Sequence, residues 1–293
     1  MNILLFNSNE LSSLGHLLIE DARRQSHLLK VIRPKLGDTL RVGQINGALG
    51  LGKIISHTEY ATRLEIQLNQ NSPAPLKLKL LLAVPRPKMM RRILQTCATL
   101  GVSEITLLNS AKVEKSYWQT PVLQPENIHD NLILGLEQAG TSQLPLVHKA
   151  ELFKPYVEDK LDDWAGNSRR LLAHPRNAQA CPIASQNDTT LAIGPEGGFT
   201  NYEVEKLIQQ GFIPFSLGPR IMRVETAIPV AISRLCALWN LPISALQDAT
   251  DHLAQNVHHS SHLKVQQLLK KNSKTCGVIS GQWLRKQLVK PLL

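Results

Sequence analysis

Apolar and polar positions change their period partway along the chain. Leu64, Ile66 and Leu68 alternate with Arg63, Glu65 and Gln67, the pattern of a strand with one buried face. Leu40 and Val42 alternate with Thr39 and Arg41 just after the turn pair Gly37-Asp38, and Asn46-Gly47 marks a hairpin. Ahead of these strands, residues 21–31 read as a short helix, with His27, Lys30 and Arg33 near its end. Residues 1–72 are therefore expected to form a small β-rich domain. The polar, proline-punctuated stretch 70–75 is the expected boundary.

From residue 76 the pattern becomes one of strands alternating with helices. Residues 78–84 are almost continuously apolar, as in a strand buried on both faces. Residues 88–100 place Met90, Ile93, Leu94, Cys97 and Leu100 on one helical stripe, closed by Gly101. Further strands are predicted at 105–108, 171–173 and 191–193, and a helix at 128–139. Thr200 and Glu203 form a capping-box pair opening a helix over 201–210, which Gly211 closes. After a short apolar stretch at 212–217, a last helix is expected from about 226 to 239, with Pro229 in its first turn. The alternation argues an α/β domain with a parallel sheet over 76–241. Residues 242–293 form a basic extension without a strong period, either a helical tail or a disordered one. Its His258, His259 and His262 lack a Cys or carboxylate at ligand spacing, so no metal is expected.

Length and composition sharpen this outline. A chain of 293 residues, 43% of them hydrophobic, has room for two domains and a sizeable core. No apolar run approaches the length of a membrane span. The N-terminus has no basic segment ahead of an apolar one, so a cytoplasmic protein is expected. Cys97, Cys181, Cys236 and Cys276 are too scattered for a zinc pair and read as reduced thiols, mostly in the core. The net charge is +10, and residues 76–118 hold 8 Lys+Arg against 2 Asp+Glu, a local +6. Such a segment fits either a polyanion-binding face or ordinary solubility charge.

Two segments carry candidate chemistry. In Gly194-Pro195-Glu196-Gly197-Gly198-Phe199-Thr200, a buried strand runs through a glycine-rich loop into a capped helix. Glycines let backbone approach a ligand, although a tight strand-to-helix turn explains the same residues. The spacing is neither a dinucleotide fingerprint nor a phosphate-binding P-loop. The second segment, Leu217-Gly218-Pro219-Arg220-Ile221-Met222-Arg223-Val224-Glu225-Thr226-Ala227, puts two arginines and a glutamate on one loop. Arginine suits phosphate recognition, while a local Arg223–Glu225 ion pair is the structural alternative. Tyr117 and Trp118, after the basic segment, either stack on a base or pack under a loop. His27 either contacts phosphate or packs at its helix end.

These two segments together resemble the signature of SPOUT methyltransferases, and in particular of the RsmE family. That family carries a G-P-E-G-G-F loop and, further on, an L-G-x-R-I-L-R-x-E-T-A loop. Met222 here replaces the usual Leu at nearly constant volume. His27-Leu28-Leu29-Lys30-Val31-Ile32-Arg33 followed by Gly37-Asp38, Thr99-Leu100-Gly101-Val102, Glu137-Gln138 and Ala173-His174-Pro175 resemble further family motifs in the same order. The resemblance spans roughly residues 15–240. The chain departs from the pattern at Thr96 and Thr99, where Lys and Glu are common, and at Gly140-Thr141, where an Arg usually follows.

The resemblance implies an α/β trefoil-knot methyltransferase domain behind an N-terminal PUA-like β-barrel that binds RNA. It implies S-adenosylmethionine as cofactor, a homodimer, and methylation at N3 of a uridine in small-subunit (16S) ribosomal RNA. The cofactor residues it implies are His174, Gly194, Pro195, Gly197, Gly198, Leu217, Gly218, Ile221, Met222, Thr226 and Ala227. Arg223 would stabilise negative charge on the uracil, and Glu196 would either take a proton or only shape its loop. Lys30, Arg33, Arg86, Lys88, Arg91 and Arg92 are the expected RNA contacts. The rival readings are a SPOUT enzyme acting on another nucleotide and an idle RNA-binding homologue.

Overall fold

The computed structural model describes residues 2–236, which pack as part of one compact unit ending at Cys236. The basic extension 242–293, with its three histidines and Cys276, lies outside the described residues, as does the predicted end of the last helix at 239.

The N-terminal part is a five-stranded sheet. Its elements are β1 (Leu4–Phe6), β2 (His16–Ile19), α1 (Ala22–His27) with a wider turn over Leu28–Ile32, β3 (Thr39–Gln44), β4 (Leu49–His57) and β5 (Thr62–Gln70). Strand order is β1-β3-β4-β5-β2, with β1 parallel to β3 and the other pairs antiparallel. The alternation read in β5 is real: Leu64 is fully buried while Arg63, Glu65 and Gln67 face out. Leu64 joins Leu4, Phe6, Leu17, Ile19, Leu28, Val42 and Ile54 in one core. Asp21 caps α1 by accepting from the Arg24 N–H at 2.8 Å. The Asn46-Gly47 turn joins β3 to β4, with Asn46 left-handed at φ 58°.

The second part is a seven-stranded, all-parallel sheet. It comprises β6 (Leu78–Ala83), α2 (Pro87–Leu100), β7 (Glu104–Leu108), α3 (Lys115–Trp118), α4 (Pro125–Ala139), β8 (Leu146–Ala150), α5 (Phe153–Asp159), α6 (Leu161–Ala165), β9 (Arg169–Ala173), β10 (Gln179–Ala180), β11 (Thr189–Ile193), α7 (Asn201–Gln209), β12 (Ile213–Ser216) and α8 (Val224–Leu235). The order is β10-β12-β9-β11-β6-β7-β8. Central β11 is buried at every position and β6 at all but Lys79, which explains their continuous apolar runs. Edge strand β8 is largely exposed, so its residues carry no such signal.

Helices α2 and α4 pack closely because Gly135 has no side chain: a Cβ there would lie 2.3 Å from the Gln95 carbonyl oxygen. Thr99 Oγ1 donates to the Gly135 carbonyl at 3.1 Å, so this departure from the family pattern stitches the two helices together. Gly140, at φ 74°, ends α4 where the family carries its arginine nearby. One expectation is corrected. Helix α8 begins at Val224, so Pro229 is its sixth residue rather than a first-turn one. The missing N–H of Pro229 leaves the Glu225 carbonyl without its helical donor. Among the described residues no helix is long and apolar enough to cross a membrane. Cys97, Cys181 and Cys236 are free thiols, and burial pushes the Cys97 thiol up to about 12.

The two sheets are joined around the end of α4. Glu137, only 2% exposed, accepts a two-pronged ion pair from Arg23 at 2.8 and 3.2 Å. Its carbonyl accepts from the Asn2 N–H at 2.9 Å. Just beyond, Ser142 Oγ donates to the Gly47 carbonyl at 2.6 Å, and its own carbonyl accepts from the Asn46 N–H at 2.8 Å. The hairpin turn thus docks the first sheet onto the second part.

Candidate active site

Strands β12, β9, β11 and β6 are neighbours and parallel, so their carboxyl ends open side by side. In open parallel sheets ligands bind beyond these ends. The loops leaving them are 174–178, 194–200, 217–223 and 84–86. They carry every residue that the sequence suggests for the cofactor except Thr226 and Ala227, which lie in the first turn of α8.

The glycine-rich loop is built by backbone chemistry. Gly194 is tight, since a Cβ would stand 3.1 Å from both the ring and the N–H nitrogen of Phe199. Gly198 is left-handed at φ 68°, and a Cβ there would meet nothing. A side chain at 198 would therefore strain the backbone without a clash at its Cβ. The expected capping box is present: Thr200 Oγ1 accepts from the Glu203 N–H at 3.3 Å, and the Glu203 carboxylate accepts from the Thr200 N–H at 2.8 Å. Gly218 is likewise positive in φ, at 129°, with open space around it. Among the described residues, Arg220, Ile221 and Met222 donate no backbone hydrogen bond, and Ile221 is 91% exposed. The loop 217–223 thus presents free peptide groups and an uncovered apolar side chain. His174 donates its backbone N–H to the Phe215 carbonyl at 3.0 Å. Burial, with help from Arg176 and Lys112, holds its imidazole below the usual pKa.

Beside these loops, Arg86, Lys88, Met89, Glu196, Arg223 and Glu225 line one open pocket of about 380 Å³. Four of the six are residues that the sequence marks as catalytic or RNA-binding. Arg223 is the N-cap of α8, but its side chain makes no capping bond. The local ion pair considered for it is absent: among the described residues none joins Arg223 to Glu225. Glu196 Oε1 accepts from the Arg86 N–H at 3.0 Å, tying the glycine-rich loop to the start of α2.

Other predicted residues lie apart. Lys30 and His27 line a second groove, of about 540 Å³, with Arg23, Gln95 and Glu137, between α1 and the helix pair α2–α4. Arg91 and Arg92 are exposed on α2, between the pocket at Lys88 and the groove at Gln95. Arg33 is exposed and left-handed at φ 51°, and does not line the groove. Tyr117 Oη donates to Glu114 at 2.9 Å, and the Trp118 indole N–H is buried without a partner among the described residues. Sequence reasoning passes over Arg23 and Lys112, and gives Glu203 only a capping role. Their roles depend on partners 114, 85 and 92 residues away, beyond any local signal.

Comparison with known proteins agrees with this architecture. The family model for an RNA methyltransferase domain matches residues 72–236. The chain is 31% identical over 242 residues to ribosomal RNA small subunit methyltransferase E of Treponema pallidum, covering 81% of this chain and 91% of the relative. It is 29% identical over 219 residues to the protein of that name from Buchnera aphidicola, covering 71% and 85%. A Legionella pneumophila structure described as a methyltransferase with bound SAM superposes with a TM-score of 0.64 at 25% identity, over 79% of this chain and 95% of that one. The small subunit methyltransferase E of Neisseria gonorrhoeae shares the fold with a TM-score of 0.62 at 21% identity, over 79% and 95%. Family model and relatives concur with the ordered loops: the chain belongs to the ribosomal RNA small subunit methyltransferase E family.

Proposed function

We propose that this protein methylates N3 of a uridine in small-subunit (16S) ribosomal RNA, using S-adenosylmethionine and acting in the cytoplasm as a homodimer. The observation that carries the reading is the pocket itself. It gathers Arg86, Lys88, Glu196 and an Arg223 without an ion pair among the described residues, next to two loops with open, left-handed glycines. We infer further that residues 1–72 are a PUA-like RNA-binding barrel and that residues 76–241 contain the family's trefoil knot. The strand order supports the knot, because β11 lies between β9 and β6, both laid down before it.

The residues present fit the cofactor. The free peptide groups of 220–222 can pair with a polar heterocycle, and the exposed Ile221 can cover an apolar face. Gly194, Gly197, Gly198 and Gly218 allow close backbone approach, with Pro195, Leu217, Met222, Thr226, Ala227 and His174 around them. When bound, S-adenosylmethionine supplies a methyl group on a cationic sulfur.

The protein must then align uracil N3 with that methyl and favour loss of the N3 proton. Arg223 is suited to promoting the proton loss, because a guanidinium facing the uracil oxygens stabilises the charge that develops there. Its position argues the same way. A cation at a helix N-terminus opposes the helix dipole, and arginine is a poor N-cap. Glu196 already spends one oxygen on the Arg86 N–H, so we assign it first to holding the loops in register. The uridine has to leave its stack to reach the pocket. Lys30, Arg33, Arg86, Lys88, Arg91 and Arg92 would then neutralise flanking phosphates on an exposed basic surface. The direct test is to map the methylated nucleotide by mass spectrometry after incubating the protein with small-subunit RNA or particles and the cofactor. Methylation at N3 of one uridine is expected.

A further inference from the structure

Lys112 belongs to the loop after β7, outside every motif found in the sequence. Its ammonium donates to the Gly197 carbonyl at 2.9 Å. Its stem fills the space where a Gly197 Cβ would stand, with Cδ at 3.1 Å and Cβ at 3.4 Å. The N–H of Gly198 donates to the Pro195 carbonyl at 2.8 Å. The peptide group joining Gly197 to Gly198 is therefore held at both polar ends, its oxygen by Lys112 and its N–H by Pro195.

The loop that presents Lys112 is itself anchored. Glu203, 3% exposed, accepts from the Ala111 N–H at 2.7 Å with one carboxylate oxygen. The other oxygen accepts from the Thr200 N–H at 2.8 Å and the Thr200 hydroxyl at 2.9 Å. Ala111 precedes Lys112 and Thr200 follows the glycine-rich loop, so one buried carboxylate fixes both. This arrangement matters because a run of glycines loses much conformational freedom when a ligand orders it. A loop ordered beforehand loses less on binding.

We propose that Lys112 is a positioning residue for the cofactor: it locks the Gly197–Gly198 peptide so that the loop meets the ligand already ordered. This rests on the reading of 194–198 as a cofactor loop. Glu203 supports the clamp from below, and Lys112 acts through backbone rather than on the reacting atoms.

The test compares full-length wild type with Lys112→Met and Lys112→Arg. Methionine keeps the apolar stem and removes the ammonium, while arginine keeps a donor. Three quantities are measured: amide exchange of segment 194–199 in the ligand-free protein, calorimetric affinity for S-adenosylmethionine, and the melting temperature. Lys112→Met should speed exchange in that segment and weaken cofactor binding by about tenfold, the scale of one hydrogen bond from a charged donor. Its melting temperature should not move. In turnover, KM for the cofactor should rise while kcat at saturation holds, and Lys112→Arg should recover most of both losses. Unchanged exchange and affinity in Lys112→Met overturns the proposal, and so does faster exchange throughout the chain with a lower melting temperature. Wild type that fails to bind the cofactor would refute the cofactor-loop reading, while the exchange comparison still decides whether the clamp exists.

Discussion

Arg23 and Arg223 each line a groove among the described residues, in opposite company. Arg23 reaches from α1 to the buried carboxylate of Glu137 and forms a two-pronged ion pair that joins the two sheets. Arg223 stands at the start of α8 with no ion pair among the described residues, at a helix end where a cation is unfavourable. The first arginine has its charge satisfied by the fold. The second has no such partner among the described residues, which is why we propose that it serves the RNA substrate. Stability and chemistry should therefore separate cleanly between them.

Loss of Arg223 should act on the chemistry alone. Arg223→Ser should lower the single-turnover methylation rate, at saturating RNA and cofactor, by roughly a hundred- to a thousandfold. Its melting temperature should stay level or rise, because serine is a better N-cap. A near wild-type rate would remove Arg223 from the chemistry, and a large loss of stability would reinstate a structural role. Next in size is Arg23→Ala. It strands a buried carboxylate, and with Arg23 half exposed the loss in unfolding free energy should be about 2 kcal/mol. Denaturant melts would show it, while the methyl-transfer step at saturating RNA should change little. A stable variant with a slowed step would invert the comparison.

Two smaller effects concern the glycine-rich loop. Gly198→Val should cost about 1–2 kcal/mol from its left-handed backbone, and cofactor affinity should fall beyond what that strain explains. A folded variant with unchanged calorimetric affinity would dissociate the loop from the cofactor. Glu196→Gln retains a carbonyl acceptor for the Arg86 N–H, so the methylation rate should stay within about threefold of wild type, whereas Glu196→Ala should lose more. Inactivity of the glutamine variant would make Glu196 the proton acceptor instead.

Much of this is legible in the chain, for identifiable reasons. The alternation around Leu64 and the continuous runs of β6 and β11 follow from one-sided and two-sided burial, which periodicity reports. Thr200 and Glu203 announce α7 because capping is local. Arg86, Lys88, Glu196 and Arg223 each stand out in the sequence, but their meeting in one pocket depends on the order of parallel strands. What stays hidden is exposed or nonlocal. Strand β8 turns mostly exposed residues outward, and α8 begins two residues early, which moves Pro229 into the helix body. The Arg23–Glu137 pair and the Lys112 clamp join residues so far apart that no window of sequence contains both partners.

Uridine N3 in small-subunit ribosomal RNA is the proposed target of the pocket at Arg223. Cells lacking this protein, and the same cells carrying it again, provide the most direct measurement: mass mapping of every methylated uridine in that RNA. One N3-methyluridine should disappear with the protein, return with wild type, and fail to return with Arg223→Ser. An unchanged uridine profile, or a methyl group lost from a different nucleotide, would contradict this assignment.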